Sequence, residues 1–207
     1  MKEIILIGYS GHAFVALGIL QSCRHKVIGY CDNEEKKFNP FSLQYFQKET
    51  SETGLNALTQ NNFFIAIGNN KIRRDIYNDL AKIKLFSVNA IHSTAVIDSS
   101  AIIAPHGVMI APNVSINALA KIGIGAICNT SSVIEHQCII GNFAHIAPGA
   151  VLCGNVKIGE TSFVGANAVV RENITIGKNV FIGAGSVVVT DIPDNVKAIG
   201  NPARFIK

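Results

Sequence analysis

The sequence contains few charged residues and no long hydrophobic run. Only 15% of its 207 residues are charged and 48% are hydrophobic, which excludes a largely disordered chain. The apolar stretch near the start, residues 4–7, is too short for a signal-peptide core or a membrane span. We therefore expect a globular, cytoplasmic protein, whose length allows one large domain or two modest ones.

The cysteines lack the spacing of a metal site or a disulfide framework. There are five, an odd number, and no two of them form a C-x-x-C pair. We expect reduced thiols that act as small apolar fillers at Cys23, Cys31, Cys128, Cys138 and Cys153. Basic runs are also missing, and the formal charge of +4 is small. Nucleic acid is therefore not an expected partner, whereas small anions such as nucleotides suit this charge.

A six-residue repeat runs through the second half of the chain. Steps of six meet only apolar residues, at Ile110, Ile116, Ile122, Cys128, Ile134, Ile140, Ile146, Leu152, Ile158, Val164, Val170, Ile176, Ile182 and Val188. A second file, four residues further on in each repeat, runs from Val114 to Ile192 and contains only small or β-branched residues. An α-helix would turn each member of a file about 240° from the previous one, so the repeat excludes a helix.

Short parallel strands can use this repeat. If six residues form one flat side and one corner, three repeats close a triangular coil, and stacked coils place both files inside a prism. We expect the glycines after the aliphatic position to supply backbone angles that a Cβ would resist, at Gly123, Gly141, Gly159, Gly165, Gly177 and Gly183. The period is already present over residues 91–103, with one extra residue before Ile110, so the prism is expected to begin near His92.

Before the repeat, strands and helices alternate. We predict strands over residues 3–7, 26–30 and 63–67, and helices over residues 13–20 and 71–84. This order indicates a small parallel α/β sheet, a Rossmann-like subdomain. Residues 34–54 are an irregular polar segment with no interpretable pattern. The predicted domains are residues 1–88, the α/β subdomain, and residues 89–207, the β-helix.

The loops that follow the three predicted strands meet at one edge of the sheet, where α/β proteins bind ligands. The first has the spacing G-x-x-G rather than G-x-G-x-x-G, which disfavours a dinucleotide redox cofactor, and its N–H groups suit a phosphate. Asp32 can accept hydrogen bonds from a ribose or a uracil N–H, or it can serve only as a turn residue. The candidate substrate-binding residues are Gly8, Ser10, Gly11, His12, Asp32, Asn33, Gly68, Asn69 and Asn70.

Three phrases carry a family resemblance: IGYSGH at residues 7–12, FIAIGNN at 64–70 and NTSSVIEH at 129–136. Together with the repeat, they make the chain resemble the hexapeptide-repeat acyltransferases. The matching subgroup includes the UDP-4-amino-sugar N-acetyltransferase of bacillosamine synthesis and the sialic acid O-acetyltransferases. The resemblance implies a left-handed parallel β-helix, a nucleotide-sugar-binding first domain, and acetyl-CoA bound between the subunits of a homotrimer.

An amine that attacks a thioester needs a base to remove its proton and donors for the oxyanion that develops. Histidine, with an ordinary pKa of about 6.5, suits the first task. His136 and His145 lie in the repeat but outside both apolar files, which makes them available to solvent or ligand. The resemblance implies that His136 is the base, that His145 contacts the acetyl donor or the substrate, and that the N–H of Gly154 polarises the thioester.

The residue after His136 departs from the related enzymes, in which an acidic side chain orients the histidine. Here it is Gln137, whose carbonyl can fix the imidazole tautomer but cannot offset the charge of an imidazolium. Glu135, on the other side, is a candidate to compensate.

Acetyl-CoA is the expected co-substrate, and no metal is expected. Glycines let a pantetheine arm approach the backbone, and basic side chains can meet its phosphates, although corner geometry explains the glycines equally well. Besides His145 and Gly154, the candidate donor-site residues are Gly165, Ala166, Lys178, Gly183, Ala184 and Arg204.

The resulting hypothesis is a transferase of glycan biosynthesis that acetylates the amine of a nucleotide-linked sugar, a 4-amino-4,6-dideoxy sugar. A sugar or sialic acid O-acetyltransferase is the main alternative. A γ-type carbonic anhydrase would need three histidines that bind zinc. The candidates are His106, His136 and His145, but their spacing in the sequence does not resemble that family's. A scaffold that binds sugar nucleotides without catalysis is the remaining alternative.

Overall fold

The computed structural model describes residues 3–206, and the first part of that chain is a parallel α/β sheet. Its elements are β1 (Ile4–Ile7), α1 (Gly11–Ser22), β2 (Val27–Cys31), β3 (Gln44–Tyr45), α2 (Glu52–Gln60), β4 (Asn62–Ile65) and α3 (Asn70–Lys82). The four strands are parallel and lie in the order β3, β2, β1, β4. This arrangement confirms the predicted α/β subdomain. The chain order reverses between β1 and β4, and a crevice opens at that point.

Helices cover both faces of this sheet, so β1 is buried on both sides. Ile4 and Leu6 belong to the core that α1 completes, whereas Ile5 and Ile7 pack among side chains of α2 and α3. None of the four residues of β1 is more than 1% exposed. Burial on both faces explains why the strand is a continuous apolar run rather than an alternating one.

Residues 34–54, which showed no pattern in the sequence, contain β3 and the start of α2. Strand β3 has only two residues and pairs in parallel with β2 at the edge of the sheet. Helix α2 begins after Ser51, whose hydroxyl accepts a hydrogen bond from the Gly54 N–H at 3.0 Å. A two-residue strand is too short to show alternation, but the N-capping serine was a usable signal for the helix.

The second part of the chain is a parallel β-helix with three flat faces. Face 1 consists of β5 (Ala90–Ile91), β8 (Met109–Ile110), β11 (Ile127–Cys128), β14 (His145–Ile146), β17 (Phe163–Val164), β20 (Phe181–Ile182), β22 (Lys197–Ile199) and the antiparallel β23 (Arg204–Ile206). Face 2 consists of β6 (Val96–Ile97), β9 (Ser115–Ile116), β12 (Val133–Ile134), β15 (Val151–Leu152), β18 (Val169–Val170) and β21 (Val187–Val188). Face 3 consists of β7 (Ile102–Ile103), β10 (Lys121–Ile122), β13 (Ile139–Ile140), β16 (Lys157–Ile158) and β19 (Thr175–Ile176).

The six-step ladder forms the interior of this prism, as predicted. Every member of the first file, from Ile110 to Val188, is at most 3% exposed, and the second file is at most 4% exposed. Each strand pairs with the strand one coil later, as Ile122 pairs with Ile140. The extra residue before Ile110 is absorbed between coils, since Ile103 pairs with Ile122. Strand β5 begins the prism at Ala90, while the domain boundary at residues 88 and 89 stays a prediction.

The explanation predicted for the corner glycines is wrong. Gly123, Gly141 and their equivalents do not have positive φ. Instead, a Cβ on Gly123 would lie 2.7 Å from the Asn142 nitrogen, and one on Gly141 would lie 2.7 Å from the Glu160 nitrogen. These glycines are required because the next coil passes too closely for a side chain.

The left-handed backbone belongs to a different position of the repeat. Fourteen consecutive repeats have φ between 53° and 70° there, at Gly107, Asn113, Leu119, Gly125, Ser131, Gln137, Phe143, Gly149, Asn155, Thr161, Asn167, Asn173, Asn179 and Gly185. Asparagine and glycine tolerate this conformation best, and together they hold nine of these positions. The left-handed residue turns the chain at every corner of the prism.

A buried arginine joins the two parts of the protein. Arg73 of α3 is 1% exposed, and no carboxylate pairs with it among the described residues. Its Nε donates to the Gly125 carbonyl (2.8 Å) and its Nη2 to the Phe143 carbonyl (2.9 Å), both in the β-helix. The remaining N–H groups are directed at oxygens of Ile67, Gly68 and Asn70. Burial lowers the pKa of Arg73 to about 9, which leaves the guanidinium charged at neutral pH.

Two histidines are enclosed at the same domain contact. The rings of His12 and His145 are 6.2 Å apart, and His145 is 7% exposed. Burial, aided by the charge of Arg73, lowers the pKa of His12 to about 4 and that of His145 to about 3. Both rings are therefore neutral at physiological pH. The expectation that His145 is open to solvent is wrong, because the first domain covers it.

Within residues 3–206, helices long and apolar enough to cross a bilayer do not occur.

Replacement of Arg73 is expected to destabilise the protein strongly. In Arg73→Met, five oxygens lose their donor, two of them in buried and three in partly buried hydrogen bonds, and we expect the free energy of unfolding to fall by at least about 2 kcal/mol. Urea unfolding measures the change. Arg74→Met is the matched control, because Arg74 pairs only with Asp75 at the surface and should contribute less than about 1 kcal/mol. Equal effects of the two substitutions would contradict the role of Arg73.

The histidine pair is expected to make folding sensitive to mild acid. The unfolded chain protonates its histidines near pH 6.5, whereas the folded pKa values are about 4 and about 3. The unfolded state therefore binds more protons below pH 6.5, and stability is complete above about pH 7 and falls as the pH drops. Between pH 7 and pH 5 we expect a loss of about 2–4 kcal/mol in urea unfolding. The double variant His12→Asn/His145→Asn should lose most of this dependence, and an unchanged slope would contradict the assignment.

Candidate active site

A crevice of about 370 Å³ opens beyond the carboxyl ends of β1, β2, β3 and β4. It brings together four of the predicted substrate-binding residues, Gly8, Ser10, Asp32 and Asn33. Gly11 and His12 follow directly as the first residues of α1, so the helix N-terminus adjoins the same crevice. The predicted phosphate seat and the loop after β2 are therefore neighbours.

The carboxylate of Asp32 organises this edge of the sheet. One oxygen accepts a hydrogen bond from the Tyr9 N–H (3.0 Å), and the other accepts from the Asn33 N–H (2.7 Å) and lies 3.1 Å from the Lys36 amine. Hydrogen bonding to Asp32 raises the pKa of Lys36. Asp32 thus holds two loops together, and any ligand donor would share an oxygen that already has a partner.

The predicted residues after β4 line a second cavity, of about 460 Å³, between α3 and the β-helix. Asn69 caps α3 by accepting from the N–H groups of Lys71 and Ile72, and Asn70 donates to the carbonyls of Thr161 and Ser162. These side chains are occupied by structural bonds. The structure therefore separates Gly68, Asn69 and Asn70 from the first crevice.

His136 lies at the corner between faces 2 and 3, and its side chain is exposed. Its Nδ1 is 3.3 Å from the Oε1 of Gln137. An amide oxygen only accepts, so this contact places the imidazole proton on Nδ1 and leaves Nε2 able to receive one. The Glu135 side chain makes no hydrogen bond or ion pair in the described chain, so nothing there shows compensation for the missing acidic residue.

Gly154 lies directly against the His136 ring, one coil further on. A Cβ on Gly154 would collide with Cε1 and Nε2 of the imidazole. The Asn155 N–H donates to the His136 carbonyl at 2.8 Å, which fixes the two corners together. Within residues 3–206, the N–H of Gly154 donates to no protein oxygen. A basic nitrogen and a free backbone donor therefore share one small region.

Asn129, the first residue of the NTSSVIEH phrase, orients His145. Its Oδ1 accepts from the Thr130 N–H (2.8 Å), which identifies the other amide atom as nitrogen. That nitrogen lies 3.2 Å from Nε2 of His145, so Nε2 is the acceptor. With a pKa of about 3, His145 is a poor base at neutral pH. Of the two predicted histidines, only His136 suits proton transfer.

The remaining candidate donor-site residues do not lie together in one subunit. Gly165, Ala166, Gly183 and Ala184 stack at the corner between faces 1 and 2, away from the corner that carries His136. Lys178 lies at the third corner, and Arg204 is in β23. A Cβ on Gly165 would lie 2.6 Å from the Gly183 carbonyl carbon, so close packing of coils accounts for that glycine.

The histidines proposed for a zinc site are also apart. His106 stacks on Phe86, with ring centroids 4.6 Å apart, while His145 lies at the domain contact and His136 at an exposed corner. Across residues 3–206, three or more histidine, cysteine or acidic side chains nowhere gather into a possible metal site. Because His145 is buried against the first domain, it is not available to a zinc site that includes the other two histidines.

Some residues of the crevice were absent from the sequence prediction. Lys48 and Glu49, which follow β3, line it together with Ile67, Ile72 and Ile76. Glu49 fell in the segment that showed no pattern, and the isoleucines resembled ordinary helix and strand residues. No signal in the sequence marked Glu49, because the strand that precedes it showed no pattern either.

Both parts of the chain match known sequence families. Residues 3–80 match the PglD N-terminal domain, and residues 155–190 match the bacterial transferase hexapeptide (six repeats).

Solved structures resemble the whole chain. A histidine-to-asparagine variant of perosamine N-acetyltransferase from Caulobacter crescentus, in complex with CoA and GDP-perosamine, is 33% identical, covers 100% of this chain and 98% of its own, and has a TM-score of 0.94. The acetyltransferase domain of PglB from Neisseria gonorrhoeae, in complex with acetyl coenzyme A, is 32% identical over 99% of each chain, with a TM-score of 0.91. WeeI from Acinetobacter baumannii is 24% identical over 100% of each chain, with a TM-score of 0.86, and supports the fold alone.

The Caulobacter and Neisseria matches cover both domains at more than 30% identity. The chain belongs to the nucleotide-sugar N-acetyltransferases of the hexapeptide-repeat acyltransferase family.

Proposed function

We propose that this protein transfers the acetyl group of acetyl-CoA to the amine of a nucleotide-linked sugar, a 4-amino-4,6-dideoxy sugar. The observation that carries the proposal is the exposed His136 imidazole, oriented by Gln137 and lying against the free N–H of Gly154. Complexes of the Caulobacter relative with CoA and GDP-perosamine, and of the Neisseria domain with acetyl coenzyme A, support both substrates.

His136 acts as the general base in a direct attack. Its Nε2 accepts a proton from the amine as the nitrogen forms a bond to the acetyl carbon and the carbon–sulfur bond breaks. The proton then passes to the departing thiolate of CoA. The carbonyl of Gln137 holds the tautomer but leaves the imidazolium without a compensating charge.

The N–H of Gly154 polarises the thioester carbonyl and stabilises the oxyanion as it develops. Glycine is needed there because a side chain would displace the His136 ring. Cys138 and Cys153 take no covalent role: burial raises the pKa of both thiols, that of Cys138 to about 11, which opposes the formation of a thiolate nucleophile.

The active site lies between subunits of a homotrimer. The first domain contacts face 1 and the corner between faces 3 and 1, through Gly125, Phe143 and Thr161. His136 lies at the corner between faces 2 and 3, so the whole of face 3 separates it from the crevice of its own subunit. In a trimer, the crevice of a neighbouring subunit can open toward the His136 corner, which brings the bound sugar and the base together.

Contact between two subunits also brings the candidate acetyl-CoA-binding residues close to one another. The stack of Gly165, Ala166, Gly183 and Ala184 in one subunit and the His136–Gly154 corner of another then border one channel for acetyl-CoA. Contacts of His145, Lys178 and Arg204 with the donor remain predictions. Because acetyl-CoA is an intracellular metabolite, we place the reaction in the cytoplasm.

The departure at Gln137 favours an amine over a hydroxyl as acceptor. The Gln137 amide cannot offset the positive charge that His136 acquires when it takes a proton, so less charge stabilisation is available to the reaction. An amine is a stronger nucleophile than a hydroxyl and needs less help from a base. We therefore rank N-acetylation above O-acetylation.

Removal of the base is expected to abolish most of the activity. For His136→Ala we expect kcat/KM to fall about 10²–10⁴-fold, because the general base contributes that much to such reactions. The assay follows thiol release from acetyl-CoA with UDP-, dTDP- and GDP-linked amino sugars. His92→Ala, at the first coil, is the control and should keep wild-type rates. An unchanged rate for His136→Ala would remove His136 from the mechanism.

Mixed trimers test the position of the site between subunits. Ser10→Trp should fill the crevice, and His136→Ala should remove the base, so each variant alone should be inactive. Co-expressed in equal amounts, they should recover about a quarter of wild-type activity, because some sites then combine an intact crevice with an intact His136 from the neighbour. Activity no higher than that of the separate variants would place both groups within one subunit.

A further inference from the structure

Glu49 is a buried carboxylate with no partner. It lies in the loop between β3 and α2, is 8% exposed, and lines the crevice at the carboxyl edge of the sheet. It forms no hydrogen bond through its side chain and no ion pair within residues 3–206, in contrast to Asp32, both of whose oxygens are occupied. The Glu49 oxygens are not among the solvent-inaccessible polar atoms that lack a partner, so they face the open space of the crevice. Because no protein group satisfies them, they are available to donors of a ligand bound there.

Part of the crevice lining is apolar. Ile67, Ile72 and Ile76 form this part, and Ile72 is 51% exposed although it borders a cavity. A flat ring that lies against these isoleucines would cover the exposed apolar surface and present its edge to Glu49. The crevice therefore suits the base of the nucleotide.

The chemistry of a carboxylate selects among the bases. An ionised carboxylate only accepts hydrogen bonds, and it binds best to two parallel N–H groups. Uracil and thymine present one imino N–H between two carbonyl oxygens, which repel the second carboxylate oxygen. Adenine and cytosine present an amino group beside an acceptor nitrogen. Guanine alone presents an imino and an amino N–H side by side.

We infer that Glu49 reads the base of the sugar nucleotide and selects guanine, so that the acceptor is a GDP-linked amino sugar. The inference rests on the proposed function, since it assigns the nucleotide to this crevice. It adds a specificity-determining residue and the base, which the catalytic corner does not involve.

Titration calorimetry of the wild-type protein tests the inference without any substitution. GDP should bind at least about tenfold more tightly than UDP or dTDP, because guanine can donate two hydrogen bonds to the carboxylate of Glu49. Inosine diphosphate, which keeps the imino N–H but lacks the amino group, should bind about tenfold more weakly than GDP. Equal binding of GDP and inosine diphosphate would overturn the role of the paired donors.

The variant Glu49→Gln assigns the discrimination to this residue. It should lose about 10–100-fold in affinity for GDP, keep its affinity for UDP, and no longer separate GDP from inosine diphosphate. Glu35→Gln, an exposed carboxylate near the same loop, is the control and should behave as wild type. Thermal melting confirms that both variants fold.

The outcomes separate this inference from the proposed function. Acetyl transfer to UDP- or dTDP-linked amino sugars as efficient as to the GDP-linked one would overturn the role of Glu49 and leave the acetyltransferase intact. Failure of every nucleotide-linked amino sugar to react would overturn both.

Discussion

The stacking of six-residue turns is the constraint on which the rest of the structure depends. Two apolar files fill the prism, and a left-handed residue turns the chain at each corner. Because equivalent residues of successive coils lie directly above each other, a residue acquires its neighbour from 18 positions away, as Ile122 pairs with Ile140. The same rule brings Gly154 against His136. The corner that we propose to be catalytic is thus a consequence of the repeat, and its geometry is fixed by the backbone rather than by a flexible loop.

A second constraint decides which corner the first domain occupies. Arg73 reaches two carbonyls of the β-helix and three oxygens of its own domain, and no shift of the domain keeps all five bonds. His12 and His145 are enclosed at the same contact and kept neutral by burial. This rigid contact keeps the crevice away from His136 of the same chain. The proposal of a site between subunits rests on where the two domains meet.

The features of the fold that depend on the periodicity of the sequence were predicted correctly. The ladder from Ile110 to Val188, the extra residue before Ile110 and the parallel α/β sheet are all present in the structure. Periodicity reports which residues point inward, but not what covers those that point outward. His145 was expected to be exposed for this reason, and it is buried because a separate domain packs over face 1.

Other features could not be predicted from the sequence, and the reason differs from one residue to the next. The role of glycines such as Gly123 was misassigned because close approach between coils and positive φ both select glycine, and the sequence does not separate them. Glu49 was missed because the preceding strand, β3, has only two residues and because the crevice is formed by loops distant in sequence. The family resemblance supplied His136, but the geometry that supports its proposed role as base, with Gln137 on one side and Gly154 on the other, is visible only in three dimensions.

The central claim is that the base of one subunit serves the sugar held by its neighbour. A crystal structure of the trimer with CoA and a nucleotide-linked amino sugar tests it directly, through the distance from the sugar amine to the nearest histidine. The account predicts about 2.6–3.2 Å to Nε2 of His136 in the adjacent subunit. An amine that lies beside His145 of its own subunit, with every His136 out of reach, would contradict it.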